Sequence, residues 1–213
     1  MYMRILAAAV SVLALAAPAQ AGVNVSIWTG TPAATAAANN ATIAAASGLG
    51  TATGTAFVGP INFASPPSAY TIGAFLNNPV FSNATVGGDS VLNTYMLFTG
   101  DVFLNAGLNT FSVSHDDGVQ LNVDGLGLLV DSPAATSDIT NTATFNVLTS
   151  GLYSFELSYG ECCGPPADLT FALNGTPVRG VPEPATWGMM LLGFAGIGLA
   201  MRTRRRLTIS QVA

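Results

Sequence analysis

The chain contains no lysine, one histidine and two adjacent cysteines, and only 8% of its residues are charged. Each scarcity excludes something. A single histidine leaves a Ser-His-Asp system resting on His115 alone, and no nucleophile motif surrounds any serine. Paired catalytic carboxyls sit about 5–9.5 Å apart, whereas Glu156 and Glu161 on one extended strand would be about 16 Å apart. The inventory therefore argues against an enzyme. Of six basic residues, Arg4 lies near the start and four lie beyond residue 201, so residues 22–181 hold ten acids and only Arg179. A segment with net charge −9 cannot neutralise phosphates, which disfavours nucleic acid and favours cations, or neutral ligands held through a cation.

The cysteines, Cys162 and Cys163, are neighbours. Consecutive Cα atoms lie about 3.8 Å apart across a trans peptide, below the usual 4.4–6.8 Å range for a disulfide. A bridge between neighbours, two free thiols and an intermolecular bridge all stay open.

Both ends carry export features. A basic start, Met1 to Arg4, precedes an apolar run from Ile5 to Ala17 and the small-x-small site Ala19-Gln20-Ala21. This is the order of a secretory signal peptide, residues 1–21, and the apolar run is too short to span a bilayer. The mature chain is expected to begin at Gly22. At the other end an uncharged stretch, 185–201, has the length of a short membrane helix. Arg202, Arg204, Arg205 and Arg206 place its far side, with the tail 207–213, in the cytoplasm.

Between the ends, residues 22–56 are rich in Ala, Thr and Asn. Thr31-Pro32 can start a helix through Ala33 to Ala46, ended by Ser47-Gly48, with a flexible linker the equal alternative. From 57 to 178 the pattern turns to short alternating runs. Thr94, Met96 and Phe98 alternate with Asn93, Tyr95 and Leu97. Phe111 and Val113 alternate with serines, and Val119, Leu121 and Val123 with Gln120 and Asn122. Phe155, Leu157 and Tyr159, then Leu169 and Phe171, repeat the theme. Period-two alternation of this kind predicts strands with one buried face, leaving Gln120 and Asn122 in solvent. Asp124-Gly125 predicts a hairpin turn. The fold class is all-β, an antiparallel sandwich, flanked by a signal helix and a C-terminal membrane helix.

Two resemblances follow from these residues. Pro182-Glu183-Pro184, the short apolar stretch and the arginine cluster at 202–206 resemble the PEP-CTERM sorting signal over 181–206. That likeness implies an exosortase-type enzyme as partner, an inner-membrane-anchored precursor in a Gram-negative-type bacterium, and delivery to the cell surface or extracellular matrix. Residues 98–131, with Asp116-Asp117-Gly118 between two strands and an Asp-Gly turn after them, resemble the protective-antigen-type domain. So does the later strand "GLYSFELSYGE". The likeness implies a β-sandwich that serves as a non-catalytic, Ca²⁺-dependent carbohydrate-binding module. In the adhesin branch two adjacent acids, here Asp116 and Asp117, hold Ca²⁺ through a cis peptide, and the metal holds sugar hydroxyls of a polysaccharide.

The chemistry is consistent with that carry-over. Two carboxylates about 4 Å apart repel by about 4 kcal/mol at an effective dielectric near 20, and a divalent cation between them removes the repulsion. Calcium takes six to eight oxygen donors, which carboxylates, carbonyls and hydroxyls can share. Asp-Asp-Gly is equally a good turn with no metal, in which case the protein would be a structural matrix component. The weaker ligand candidates are His115, Glu161, Cys162 and Cys163. Glu161 and the cysteines lie in the stretch 160–167, which matches the family's second ligand loop but contains no asparagine. His115 with the two cysteines makes three zinc donors at best, so it reads as a hydrogen-bonding turn residue. Asp138, in a polar loop, is expected to stand apart from the site.

Overall fold

A computed structural model describes residues 22–180 and 192–197. The signal peptide, the Pro182–Pro184 motif, the arginines at 202–206 and most of the stretch 185–201 lie outside the described residues. Residues 192–197 are helical, and among the described residues no helix is long and apolar enough to cross a membrane.

The strands run in the order β1 (Val23–Trp28), β2 (Gly54–Val58), β3 (Asn62–Ser65), β4 (Thr94–Leu104), β5 (Gly107–Asp116) and β6 (Gly118–Val123). They continue with β7 (Gly127–Ser132), β8 (Ile139–Val147), β9 (Gly151–Glu161), β10 (Ala167–Leu173) and β11 (Thr176–Pro177). Short helices α1 (Pro32–Asn39), α2 (Ala45–Gly48) and α3 (Ile72–Phe75) lie between the early strands. One antiparallel sheet has the order β2-β1-β4-β9-β6-β7. The other is β11-β10-β5-β8, with β3 also paired to β10.

The alternation reads as expected inside the sandwich. Phe111, Val113, Val119, Leu121, Val123, Leu157, Tyr159, Leu169 and Phe171 are fully buried, and Phe155 nearly so. Phe171 ties the layers together, with ring centroids 5.0 Å from Phe111 and 5.3 Å from Phe155. The hairpin at Asp124-Gly125 forms, with left-handed backbone at Gly125 and Gly127 rather than at Asp124.

The segment 22–56 differs from its reading as a region ahead of the domain. β1 lies between β2 and β4 in the six-stranded sheet, so the sandwich begins at Val23, not at residue 57. The helix starts where expected, Thr31 accepting a hydrogen bond from Ala34 N at 3.1 Å with proline in the first turn. It ends at Asn39 instead of running to Ala46. There Asn40 bridges to Ala134, and Ala41 N donates to the Pro133 carbonyl at 2.8 Å, so tertiary pairing overrides local helix preference.

This layer covers part of the outer face of the six-stranded sheet. Trp28, Ala34, Ala37 and Ala41 form a second apolar cluster around Tyr95, which is fully buried despite its position on the outward face. Gly160 in the sheet permits the close approach: a Cβ there would meet the Ala38 carbonyl oxygen at 2.3 Å. Gln120 is likewise half-buried, its Oε1 accepting from Ile43 N at 2.9 Å. Asn122 is half-buried as well, and the expectation that Gln120 and Asn122 lie in solvent fails for one reason: alternation reports only that the two faces differ, not whether the second is covered.

Candidate functional site

Three connections cross between the sheets at the same end. β5 belongs to the five-stranded sheet and β6 to the six-stranded one, so the chain crosses at Asp116-Asp117. β9 to β10 crosses through Cys162–Pro166, and β7 to β8 through Pro133–Asp138. Register fixes them side by side: Gly118 faces Gly160, Asp116 faces Asp168, and His115 faces Ile139. Gly118 packs directly on the third crossing, since a Cβ there would meet the Pro133 carbonyl oxygen at 2.1 Å. These crossings bring five of the domain's ten acids, Asp116, Asp117, Asp138, Glu161 and Asp168, to one end.

The Asp116-Asp117 peptide is cis. One carboxylate oxygen from each of Asp116, Asp117 and Glu161 lies within 4.8 Å of the other two. Asp117 is 3% exposed and closely held: Oδ2 accepts the backbone N–H groups of Cys162 (2.9 Å) and Cys163 (3.2 Å), and Oδ1 accepts Thr136 N (3.1 Å). Glu161 is fully buried. Its two oxygens accept the hydroxyls of Tyr70 (2.5 Å) and Tyr159 (2.9 Å). Tyr159 Oη also lies 2.5 Å from the Asp116 carbonyl oxygen. Asp116 is half-buried, and among the described residues its carboxylate accepts no protein hydrogen bond.

The electrostatics are one-signed. Burial pushes the Asp116 carboxyl up to about 6, helped by Asp117, Asp138 and Asp168. Burial also pushes Glu161 up to about 7; the two tyrosine hydroxyls pull it down, while Asp117 and Asp116 push it up. Asp168 is raised by burial and then by Asp138. The hydroxyls of Tyr70 and Tyr159 are held above their usual range by burial and by Glu161. Arg179, the only base of residues 22–181, is absent from the groups that act on Asp116 and Glu161.

Of the residues singled out in the sequence, Asp116, Asp117 and Glu161 come together as oxygen donors. His115 faces inward as a support: Nδ1 contacts the Asp117 carbonyl, Nε2 lies 2.8 Å from the Asn141 amide, and burial lowers its basicity. Cys162 and Cys163 form a disulfide with each other, Cα atoms 3.7 Å apart. As bridged sulfurs they are not thiolate donors, and they serve the site through their backbone N–H groups. Asp138 does not stand apart, because its charge reaches both Asp116 and Asp168.

The sequence reading did not anticipate Tyr159, Tyr70 or Asp168. Tyr159 had a usable signal, since it stands two residues before Glu161 and shares its strand face. Tyr70 had none, lying 91 residues from Glu161 in a stretch without alternation. Asp168 requires the β5–β10 register, which residue pattern alone does not fix.

Residues 180–206 match the family described as the PEP-CTERM protein-sorting motif. The chain carries a PEP-CTERM sorting motif and, before it, a PA14-like β-sandwich. The fold assignment comes from solved structures. A PA14 sugar-binding domain from an RTX adhesin aligns at TM-score 0.58 and 20% identity, covering 74% of this chain and 93% of that one. The PA14 domain of the MpAFP antifreeze protein aligns at 0.56 and 21%, covering 78% and 88%. The epithelial adhesin 6 A domain from Candida glabrata, in complex with Galβ1-3GlcNAc, aligns at 0.50 and 12%, covering 78% and 85%. Comparison with curated protein sequences gives no match. At these identities the likeness establishes the PA14-like fold, and the site must be argued from its own residues.

Proposed function

We propose that this is an exported, surface-sorted protein whose PA14-like domain holds Ca²⁺ at Asp116, Asp117 and Glu161 and binds glycan hydroxyls through the metal, without catalysis. The carrying observation is three carboxylates within 4.8 Å of one another, ringed by two further acids, in a domain whose one arginine takes no part. Such a cluster is neutralised either by protons or by a cation. The donor set suits a hard cation, being all oxygen. Asp116 supplies a carboxylate without a protein donor. Asp117 and Glu161 are held by hydrogen bonds to both of their oxygens, so little ordering remains to be done on binding. The metal, when bound, supplies a Lewis-acidic centre for neutral hydroxyls, and the chain's own residues orient it.

The sorting motif supports the location. Exosortase-type processing would leave a mature protein starting near Gly22 and lacking the segment after about Pro184, at the cell surface or in the extracellular matrix. Mass spectrometry of the surface form tests this, and a mature form retaining Arg202 to Arg206 would contradict it.

The alternative, a structural matrix protein without metal, is favoured by one observation: among the described residues no buried side-chain polar atom lacks a partner. A glycan array probed with the purified protein separates the two. Binding that disappears with chelator and returns with calcium supports the proposal, and glycan binding indifferent to chelator contradicts it.

A further inference from the structure

We infer that the Cys162–Cys163 disulfide positions Asp117 for the cation, so that calcium affinity depends on the redox state of this pair. The inference rests on the carboxylate cluster being a cation site. Its own support is geometric. Both members of the bridge direct their backbone N–H groups at one atom, Asp117 Oδ2, at 2.9 and 3.2 Å. The Cys162 sulfur also lies 3.2 Å from that oxygen. A bridged sulfur carries no hydrogen, so this is a packing contact and not a donated bond.

A disulfide between neighbours closes a small covalent ring around one peptide bond, restricting the dihedrals on both sides of it. Two N–H groups that would otherwise turn independently are thereby held convergent. The residue that follows in this crossing is Gly164, with φ of +117°, so the chain beyond the bridge has little intrinsic preference for this path. Thr136 N, the remaining donor to Asp117, comes from a different crossing and does not replace the pair.

Cys163 is exposed, so a small reductant can reach the bridge. With a dithiol such as dithiothreitol, the protein S–S bond breaks and each sulfur gains one electron and one proton. The dithiol, losing two electrons and two protons, closes to its cyclic disulfide. Reduction then frees the peptide and loosens two charge-assisted hydrogen bonds. It also sets a thiol beside the carboxylate, which can donate to the oxygen and compete for its lone pairs. Weakening the equivalent of one such hydrogen bond corresponds to about a tenfold loss of affinity.

The test is calcium calorimetry on the full chain in nonionic detergent, oxidised and after dithiothreitol, with Cys163→Ser as a variant that lacks the bridge without reductant. A metal-free readout accompanies it: amide hydrogen exchange of residues 162 and 163 in chelator. The expected result is affinity about tenfold lower on reduction and in Cys163→Ser, with exchange at both amides faster by a similar factor. Oxidised protein that binds calcium, with reduced protein binding it equally, overturns this inference alone. Oxidised protein that ignores calcium overturns the cation reading and this inference with it. Should Cys163→Ser fail to fold, reduction of the folded wild type still decides between these outcomes.

Discussion

Asp116 faces Asp168 directly across the β5–β10 ladder, at the last position before β5 leaves its sheet. Like charges opposite one another on paired strands are destabilising. Here the pair adjoins Asp117 and Glu161, so repulsion converges on one end of the sandwich.

The first consequence is a pH dependence with a defined sign. The folded-state pKa values of Asp116 and Glu161 are raised, to about 6 and about 7. The folded protein therefore binds protons more tightly there than the unfolded chain. These groups favour folding at low pH, and that advantage is lost as pH rises from about 4 to about 7. Melting temperature in chelator should fall across that window, and calcium should flatten the fall. A metal-free melting temperature that rises from pH 5 to 7 would contradict the arrangement.

Removing a tyrosine hydroxyl from Glu161 should cost stability when the carboxylate is charged. Tyr70→Phe deletes one hydrogen bond to a charged group, about 1.5–3 kcal/mol. Tyr159→Phe deletes the bond to Glu161 and the contact with the Asp116 carbonyl, and should cost more. Denaturant unfolding above pH 8 measures both, and the gap should narrow near pH 5. Equal stability of both variants and wild type at high pH would show the hydroxyls to be idle.

Truncation tests where the domain begins. A chain starting at residue 57 lacks β1 and most of β2, exposing the β4 edge and uncovering Tyr95 and the Gln120 face. It should not fold to a sandwich, as read by near-ultraviolet circular dichroism. A well-folded product would restore the boundary at 57.

Phe155→Ala should cost about 3–5 kcal/mol, because its ring is 2% exposed and packs edge-on to Phe171 across the two layers. Urea unfolding at pH 5 measures this away from the ionised site.

The sandwich was legible because inward residues such as Val119, Leu121 and Val123 alternate strictly and are buried as a set. The start of the sheet was not, because Val23, Val25 and Ile27 are separated from the next strand by an alanine-rich stretch that reads equally as linker. Half of the site was legible for a chemical reason: adjacent Asp116 and Asp117 sit in one short turn, where sequence proximity guarantees spatial proximity. Tyr70 comes from the β3–β4 connection, Thr136 and Asp138 from the β7–β8 connection and Asp168 from β10, and only sheet register assembles them. The cysteine pair was visible, but its contribution lies in backbone N–H groups, which every residue type but proline possesses and which no motif advertises.

The most direct test of the central claim is the melting temperature of the purified chain at pH 7 as calcium is added. A ligand that binds only the folded state adds about 2.7 kcal/mol at a hundred times its Kd, a shift of several degrees. The expected result is such a rise for wild type and for Asp131→Asn, whose carboxylate bonds Gln120 away from the cluster, and its loss in Asp116→Asn. A wild-type melting curve unmoved by calcium at about millimolar concentration, with Asp116→Asn more stable than wild type, would contradict the cation site and leave a turn of mutually repelling acids.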